Sequence, residues 1–210
     1  MKTNTDELFN ILAEHFENIG CELNFQTPYQ LLVAVILSAQ CTDKQVNKVT
    51  DILFKLAPTA EKMLQLGEEK ISQIIHPCGF YKVKAKNIVN CSRKIVNNFN
   101  NTVPNTMQDL LTLDGVGRKT ASVILAECFN VPALAVDTHV FRVSNRLGIS
   151  KSKNVEECEQ QLKKLLPASQ WKDWHYLLVL FGRYYCKAKK YDCESCRAKN
   201  HCLNYKNKGN

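Results

Sequence analysis

Apolar residues recur at helical spacing in almost every segment of this 210-residue chain. No alternating apolar–polar run flanks an Asn-Gly or similar tight turn, the pattern a hairpin of strands would leave. The chain therefore reads as all-α. Asp6 to Ile19 places Leu8, Phe9, Leu12, Phe16 and Ile19 on one face. Thr27 and Pro28 open a second helix, running to about Ser38, because a hydroxyl cap followed by Pro satisfies a helix start. Asp43–Leu56 repeats the pattern through Val46, Val49, Ile52 and Leu53. Short helices fit Ala60–Leu66, Glu68–Ile75 and Met107–Leu111, and a longer one Lys82–Phe99, with Val83, Ile88, Ile95 and Val96 facing inward. Lys119–Phe129, Thr138–Leu147, Asn154–Leu166 and Trp171–Tyr185 complete the set. Asn97–Asn101 reads as a loop and Asn204–Asn210 as a loosely ordered end.

Hydrophobic residues make up 45% of the chain, enough for a sizeable core and too many for disorder. The longest apolar run, Leu31–Leu37, is far too short to cross a bilayer. Met1–Glu7 is polar and no apolar signal region follows it. The expected location is cytoplasmic and nucleoid-associated, where thiols stay reduced and ten cysteines need a role other than disulfides. The net charge is +8, and Gly182–Asn210 alone carries eight basic and two acidic side chains. That end of the chain either contacts a polyanion or is simply a solvated basic terminus.

Cys186, Cys193, Cys196 and Cys202 have the spacing C-x6-C-x2-C-x5-C. Thiolates at that density converge on zinc or on an iron–sulfur cluster. Structural zinc sites usually bring two close pairs, and this set has only Cys193 and Cys196, so the cluster is preferred and zinc stays open. Lys187, Lys189 and Lys190 fall inside the first gap and suit a metal-pinned, phosphate-binding finger. The remaining cysteines (Cys21, Cys41, Cys78, Cys91, Cys128 and Cys158) are scattered through helical patterns and read as small buried hydrophobes.

Leu113-Asp114-Gly115-Val116-Gly117 separates two apolar helical segments. Two glycines at this spacing permit a tight turn and a close backbone approach. The following helix starts at once, with Arg118, Lys119 and Thr120 in its first turn. Its N–H groups and dipole would hold a phosphate without reading sequence. An ordinary interhelical turn has the same appearance. Lys119 precedes Ala121, Val123, Ile124, Leu125 and Ala126, so one side of its helix is buried. A neutral amine in such a setting is a nucleophile able to form a Schiff base with a sugar carbon. Asp137, in Ala135-Val136-Asp137-Thr138-His139, reads first as a helix N-cap. A carboxylate held that rigidly can also stabilise a cationic transition state. His139 reads as structural.

Three segments carry a resemblance: Leu113–Ala121, Val136–Val143 and the four-cysteine set. Together with Leu37–Asp43 they closely resemble the endonuclease III family of bifunctional DNA glycosylases and abasic-site lyases. The likeness spans about Thr27 to Cys202. It implies two helical domains flanking a DNA cleft. Residues 22–131 would form a continuous helical barrel with the helix-hairpin-helix, and 1–21 plus 132–210 a domain holding a [4Fe–4S] cluster. By position, Lys119 matches the Schiff-base lysine, Asp137 the catalytic aspartate, and Cys186, Cys193, Cys196 and Cys202 the cluster ligands. Gly115, Val116, Gly117 and Arg118 match the phosphate-binding hairpin. Gln40 matches the residue that fills the gap left by a flipped nucleotide, and Phe80, in Gly79-Phe80-Tyr81, the wedge. The family usually has Pro where this chain has Asp114, and Leu where it has Phe80.

The implied activity is removal of an oxidised pyrimidine from duplex DNA, followed by β-elimination at the abasic site, by a monomer with no membrane partner. Two rivals are an adenine-specific mismatch glycosylase, which lacks a lysine at this position, and a non-catalytic DNA-binding module with structural zinc. A metal-stapled scaffold for protein partners is the third.

Overall fold

The computed structural model describes residues 4–207. The polar start at 1–3 and the last residues of the expected loose tail, 208–210, lie outside the described residues. Among the described residues there are twelve α-helices, two short 3-10 turns and no strand. The helices are α1 (Thr5–Ala13), α2 (Pro28–Ser38), α3 (Asp43–Leu56), α4 (Ala60–Leu66), α5 (Glu68–Ile74), α6 (Tyr81–Asn98), α7 (Met107–Leu111), α8 (Arg118–Cys128), α9 (Thr138–Leu147), α10 (Val155–Leu165), α11 (Trp171–Tyr184) and α12 (Leu203–Lys206).

Side-chain caps set most of these starts. Thr27, Thr42, Thr59, Thr106 and Asn154 each accept a bond from an N–H of the first turn. The chain divides into two compact units, one of residues 22–131 and one of 1–21 plus 132–210.

In the continuous unit, α2 is buried along nearly its whole length, from Tyr29 to Leu37. It is apolar all round, as an element at the centre of its neighbours must be. Val83 was expected to face inward on α6, but it is 60% exposed, and Lys84 beside it is buried instead. The reason is polar. Lys84 Nζ donates to the carbonyl oxygens of Leu37 at 2.8 Å and Ala39 at 2.7 Å, closing the end of α2.

In the discontinuous unit, Leu8 and Leu12 of α1 pack with Val140, Val143, Leu162, Trp174, Leu177 and Phe181. The Phe9 ring meets Trp174 edge-on at 5.2 Å. Helix α1 is shorter than its periodicity suggests. After Ala13 the bonds tighten, with His15 N–H to Leu12 O and Phe16 N–H to Ala13 O, and the helix stops. Phe16 and Ile19 still pack against the core without being helical. The described start of the expected loose tail is helical through Lys206, as part of α12, and Leu203 lies against Gly148. The loop expected at Asn97–Asn101 begins later, because α6 continues through Asn98. The chain then reverses at Asn100 and Asn101, both left-handed. Of the scattered cysteines, Cys78, Cys91 and Cys158 are buried as expected, whereas Cys21, Cys41 and Cys128 are only half-buried.

Candidate nucleic-acid interface and thiol site

Helices α7 and α8 form a hairpin joined by Thr112–Gly117. Val116 N–H bonds Leu113 O at 3.2 Å, and Gly115 between them has φ +78°. That is a type II turn with its glycine at the left-handed corner. A Cβ on Gly115 would also lie 3.1 Å from the Asn87 side chain. Gly117 is different. It is extended, it is the N-cap of α8 without a side-chain bond, and nothing lies within 4 Å of where its Cβ would be. The first turn of α8 is thus left without a side-chain cap beside open space, which suits an anion brought by another molecule. Leu113 and Val116 are buried and anchor the loop, and the Val116 N–H is taken up by the turn, so Val116 shapes the hairpin without offering a donor to an anion. Arg118 and Lys119 are exposed in that first turn, while Ala121–Ala126 are buried.

In the same unit, two exposed side chains stand on strained backbone. Gln40 has φ 53° and Phe80 φ 58°, both left-handed without being glycine, and Phe80 is 66% exposed. The turns adjoin, since a Cβ on Gly79 would lie 3.7 Å from Gln40 O. Lys84 holds the approach to Gln40 through the carbonyl of Ala39. Burial pulls its pKa down. No sequence pattern distinguished this lysine from the solvated ones around it.

In the discontinuous unit, Asp137 is half-buried and is the N-cap of α9. Its Oδ1 accepts from His139 N–H at 2.8 Å and Val140 N–H at 2.9 Å. The capping role is therefore real. His139 Nδ1 faces Arg142 Nη2 at 3.2 Å, and burial holds the imidazole pKa below its usual value. Arg142 also donates to Gly182 O and Cys186 O, tying α9 to the end of α11.

Cys186, Cys193, Cys196 and Cys202 all line one cavity of about 290 Å3. The N–H of Ala198 bonds Cys196, and those of Asn204 and Tyr205 bond Cys202. Arg146 completes the wall. Its Nη1 lies 3.4 Å from Cys186 Sγ and donates to Lys187 O. Lys187, Lys189 and Lys190 are exposed, and Lys190 has φ 55°. Arg142 and Arg146 were not singled out from the sequence as supports of this loop, because the bonds that reveal them span about forty residues.

Residues 33–168 match the family described as HhH-GPD superfamily base excision DNA repair protein. That defines the class: a helix-hairpin-helix fold of the base excision repair kind. Endonuclease III of Escherichia coli strain K12 is 45% identical over 202 residues, covering 96% of this chain and 95% of the relative. That of Synechocystis is 44% identical over 202 residues, covering 96% and 92%. A solved structure of a trapped endonuclease III–DNA covalent intermediate, an estranged-adenine complex, superposes with TM-score 0.93 at 40% identity. It covers 100% of this chain and 99% of that one. The chain belongs to the endonuclease III family. Among the described residues, no helix is long and apolar enough to cross a membrane.

Proposed function

We propose that this protein is a base excision repair enzyme acting on duplex DNA, a glycosylase for oxidised pyrimidines and a lyase at the abasic site. The observation that carries the reading is Lys119. It is an exposed amine in the first turn of α8, behind a glycine turn whose open side has room for a phosphate, in a chain of this family.

The assigned steps use the chain's own groups. Gly115 and Gly117 present main-chain N–H groups to phosphate, Val116 closes the turn between them through its bond to Leu113 O, and Arg118 adds charge. Gln40 and Phe80 occupy the space vacated when the damaged nucleotide turns out of the stack. The Lys119 amine, once deprotonated, attacks C1′. The glycosidic C–N bond breaks, and the base leaves with the electron pair and gains a proton. Asp137 stabilises positive charge on the sugar and assists the proton transfers. The sugar ring opens to an imine with Lys119 nitrogen. Loss of a proton from C2′ then expels the 3′ phosphate, and water releases the lysine.

The four cysteines fit a [4Fe–4S] cluster. All four line one cavity, as ligands converging on one centre do. Only Cys193 and Cys196 form a close pair in sequence, where structural zinc sites usually bring two. N–H groups bonded to Cys196 and Cys202 and a cation beside Cys186 suit thiolate ligands. When bound, the cluster supplies a staple and a local charge, presenting Lys187, Lys189 and Lys190 to the backbone. Visible absorbance with four irons per chain supports this, and a colourless zinc protein contradicts it. We assign the protein to the nucleoid as a monomer on DNA.

The deciding experiment is borohydride trapping on duplex containing thymine glycol. A covalent adduct forms with wild type and not with a folded, DNA-binding Lys119→Ala. No adduct from wild type would reject the lyase chemistry.

A further inference from the structure

We propose that Lys94 is a positioning residue for DNA binding, which fixes the hairpin turn and cancels the charge of Asp114 beside the α8 N-terminus. The inference rests on the DNA-binding reading of the hairpin given above.

Asp114 stands at the first corner of the Leu113–Val116 turn, next to left-handed Gly115. An uncompensated carboxylate there, four residues before Arg118, would repel a phosphate approaching the first turn of α8. Lys94 reaches over from α6. Its Nζ lies 2.8 Å from Asp114 Oδ2 and donates to Thr112 O at 2.6 Å. The carboxylate contact is charge to charge rather than an aligned hydrogen bond, since Oδ2 has no hydrogen-bond partner. One ammonium thus grips the loop at two points, just before the turn and at its first corner. The pair is only partly exposed, at 42% and 29% of the side chains, so solvent screens it incompletely. The first corner of a type II turn is also where Pro is favoured, because its fixed φ matches. Asp114→Pro therefore supplies stiffness without charge, and Asp114→Asn removes the charge alone. These two substitutions separate Lys94 as a neutraliser from Lys94 as a phosphate ligand.

The test measures affinity for duplex carrying a tetrahydrofuran abasic-site analogue, with borohydride trapping on abasic duplex as the activity readout. Lys94→Met weakens binding about tenfold at low salt. It raises KM and leaves the single-turnover rate at saturating enzyme unchanged, because Lys94 does not touch the reacting atoms. Lys94→Arg restores binding. Lys94→Met with Asp114→Pro returns affinity to within about twofold of wild type, and Lys94→Met with Asp114→Asn recovers the part of the loss that is due to charge. Asp114→Asn alone, which keeps Lys94 and needs no loss of the Thr112 bond, binds at least as tightly as wild type. A Lys94→Met/Asp114→Pro protein as weak as Lys94→Met, with the charge gone and the turn stiffened, would mean that Lys94 itself binds phosphate, and would overturn the inference. So would unchanged affinity in Lys94→Met, or weakened affinity in Asp114→Asn. A wild type that neither binds nor traps would bring down the DNA-binding reading, and this inference with it. A wild type that traps, beside an unaffected Lys94→Met, would remove Lys94 alone.

Discussion

The Arg146 guanidinium lies over the ring of Tyr191, 4.1 Å from its centroid. The same group donates to Lys187 O at 2.7 Å. One α9 side chain therefore pins both ends of the segment between the first two cysteines. Arg146→Ala loses a cation–π contact and a charge-assisted bond, together about 1–2 kcal/mol. The thermal midpoint should fall by roughly 2–8 °C. Visible absorbance should also bleach faster under chelator than in wild type. Equal bleaching rates would show that the loop is held by the thiols alone.

The two hairpin glycines should separate cleanly on mutation. Gly115→Ala forces a side chain into left-handed backbone and against Asn87, and should cost about 1–3 kcal/mol. Gly117→Ala meets neither obstacle, so its unfolding midpoint should match wild type. Its methyl group would occupy the open space at the α8 N-terminus and weaken DNA binding. A stable Gly117→Ala with full affinity would mean that phosphate does not approach there.

Asp137 combines a cap with the catalytic role assigned to it, and two substitutions distinguish them. Asn caps helices as well as Asp does. Asp137→Asn should keep the melting temperature and lower turnover by about 10²–10⁴-fold. Asp137→Ala should in addition cost about 1 kcal/mol of stability. An active Asp137→Asn would leave the residue as a cap only.

His139 gives a pH dependence. Its folded pKa is lowered, chiefly by burial, with Asp137 pulling it up and Arg142 pulling it down. The unfolded ring takes a proton near the ordinary histidine value of 6.5, and the folded ring resists until lower pH. Its contribution is therefore fully present above about pH 6.5 and is lost as pH falls through the folded pKa. Urea midpoints of wild type should drop more than those of His139→Gln between about pH 7.5 and 5.5. Parallel drops would show that the ring does not titrate differently on folding.

Local signals made most helices legible. Thr27 with Pro28 and Asp137 with Thr138 mark starts that the structure keeps. The hairpin turn and the four thiols on one cavity were also legible, because both depend on residues close in the chain. Periodicity misled where packing no longer required a helix, as at Phe16 and Ile19, which pack partly buried against the core from irregular backbone. It failed again at Val83 and Lys84, where unpaired carbonyls at the end of α2 outweighed hydropathy. Left-handed Gln40 and Phe80 carry no glycine to announce them. Lys94, Arg142 and Arg146 were indistinguishable from surface cations until tertiary structure supplied their carbonyl partners.

One compact unit is inserted into the other: residues 22–131 interrupt the unit formed by 1–21 and 132–210. On a ribosome this imposes an order of events. The inserted unit is complete while Leu8 and Leu12 still lack the aromatic floor of α11. At about 5–20 residues per second, that wait lasts roughly 8–32 seconds. During it an amphipathic nine-residue helix must stay unassembled yet unaggregated. Its acidic first turn, Asp6 and Glu7, gives the nascent segment a solvating charge through that interval.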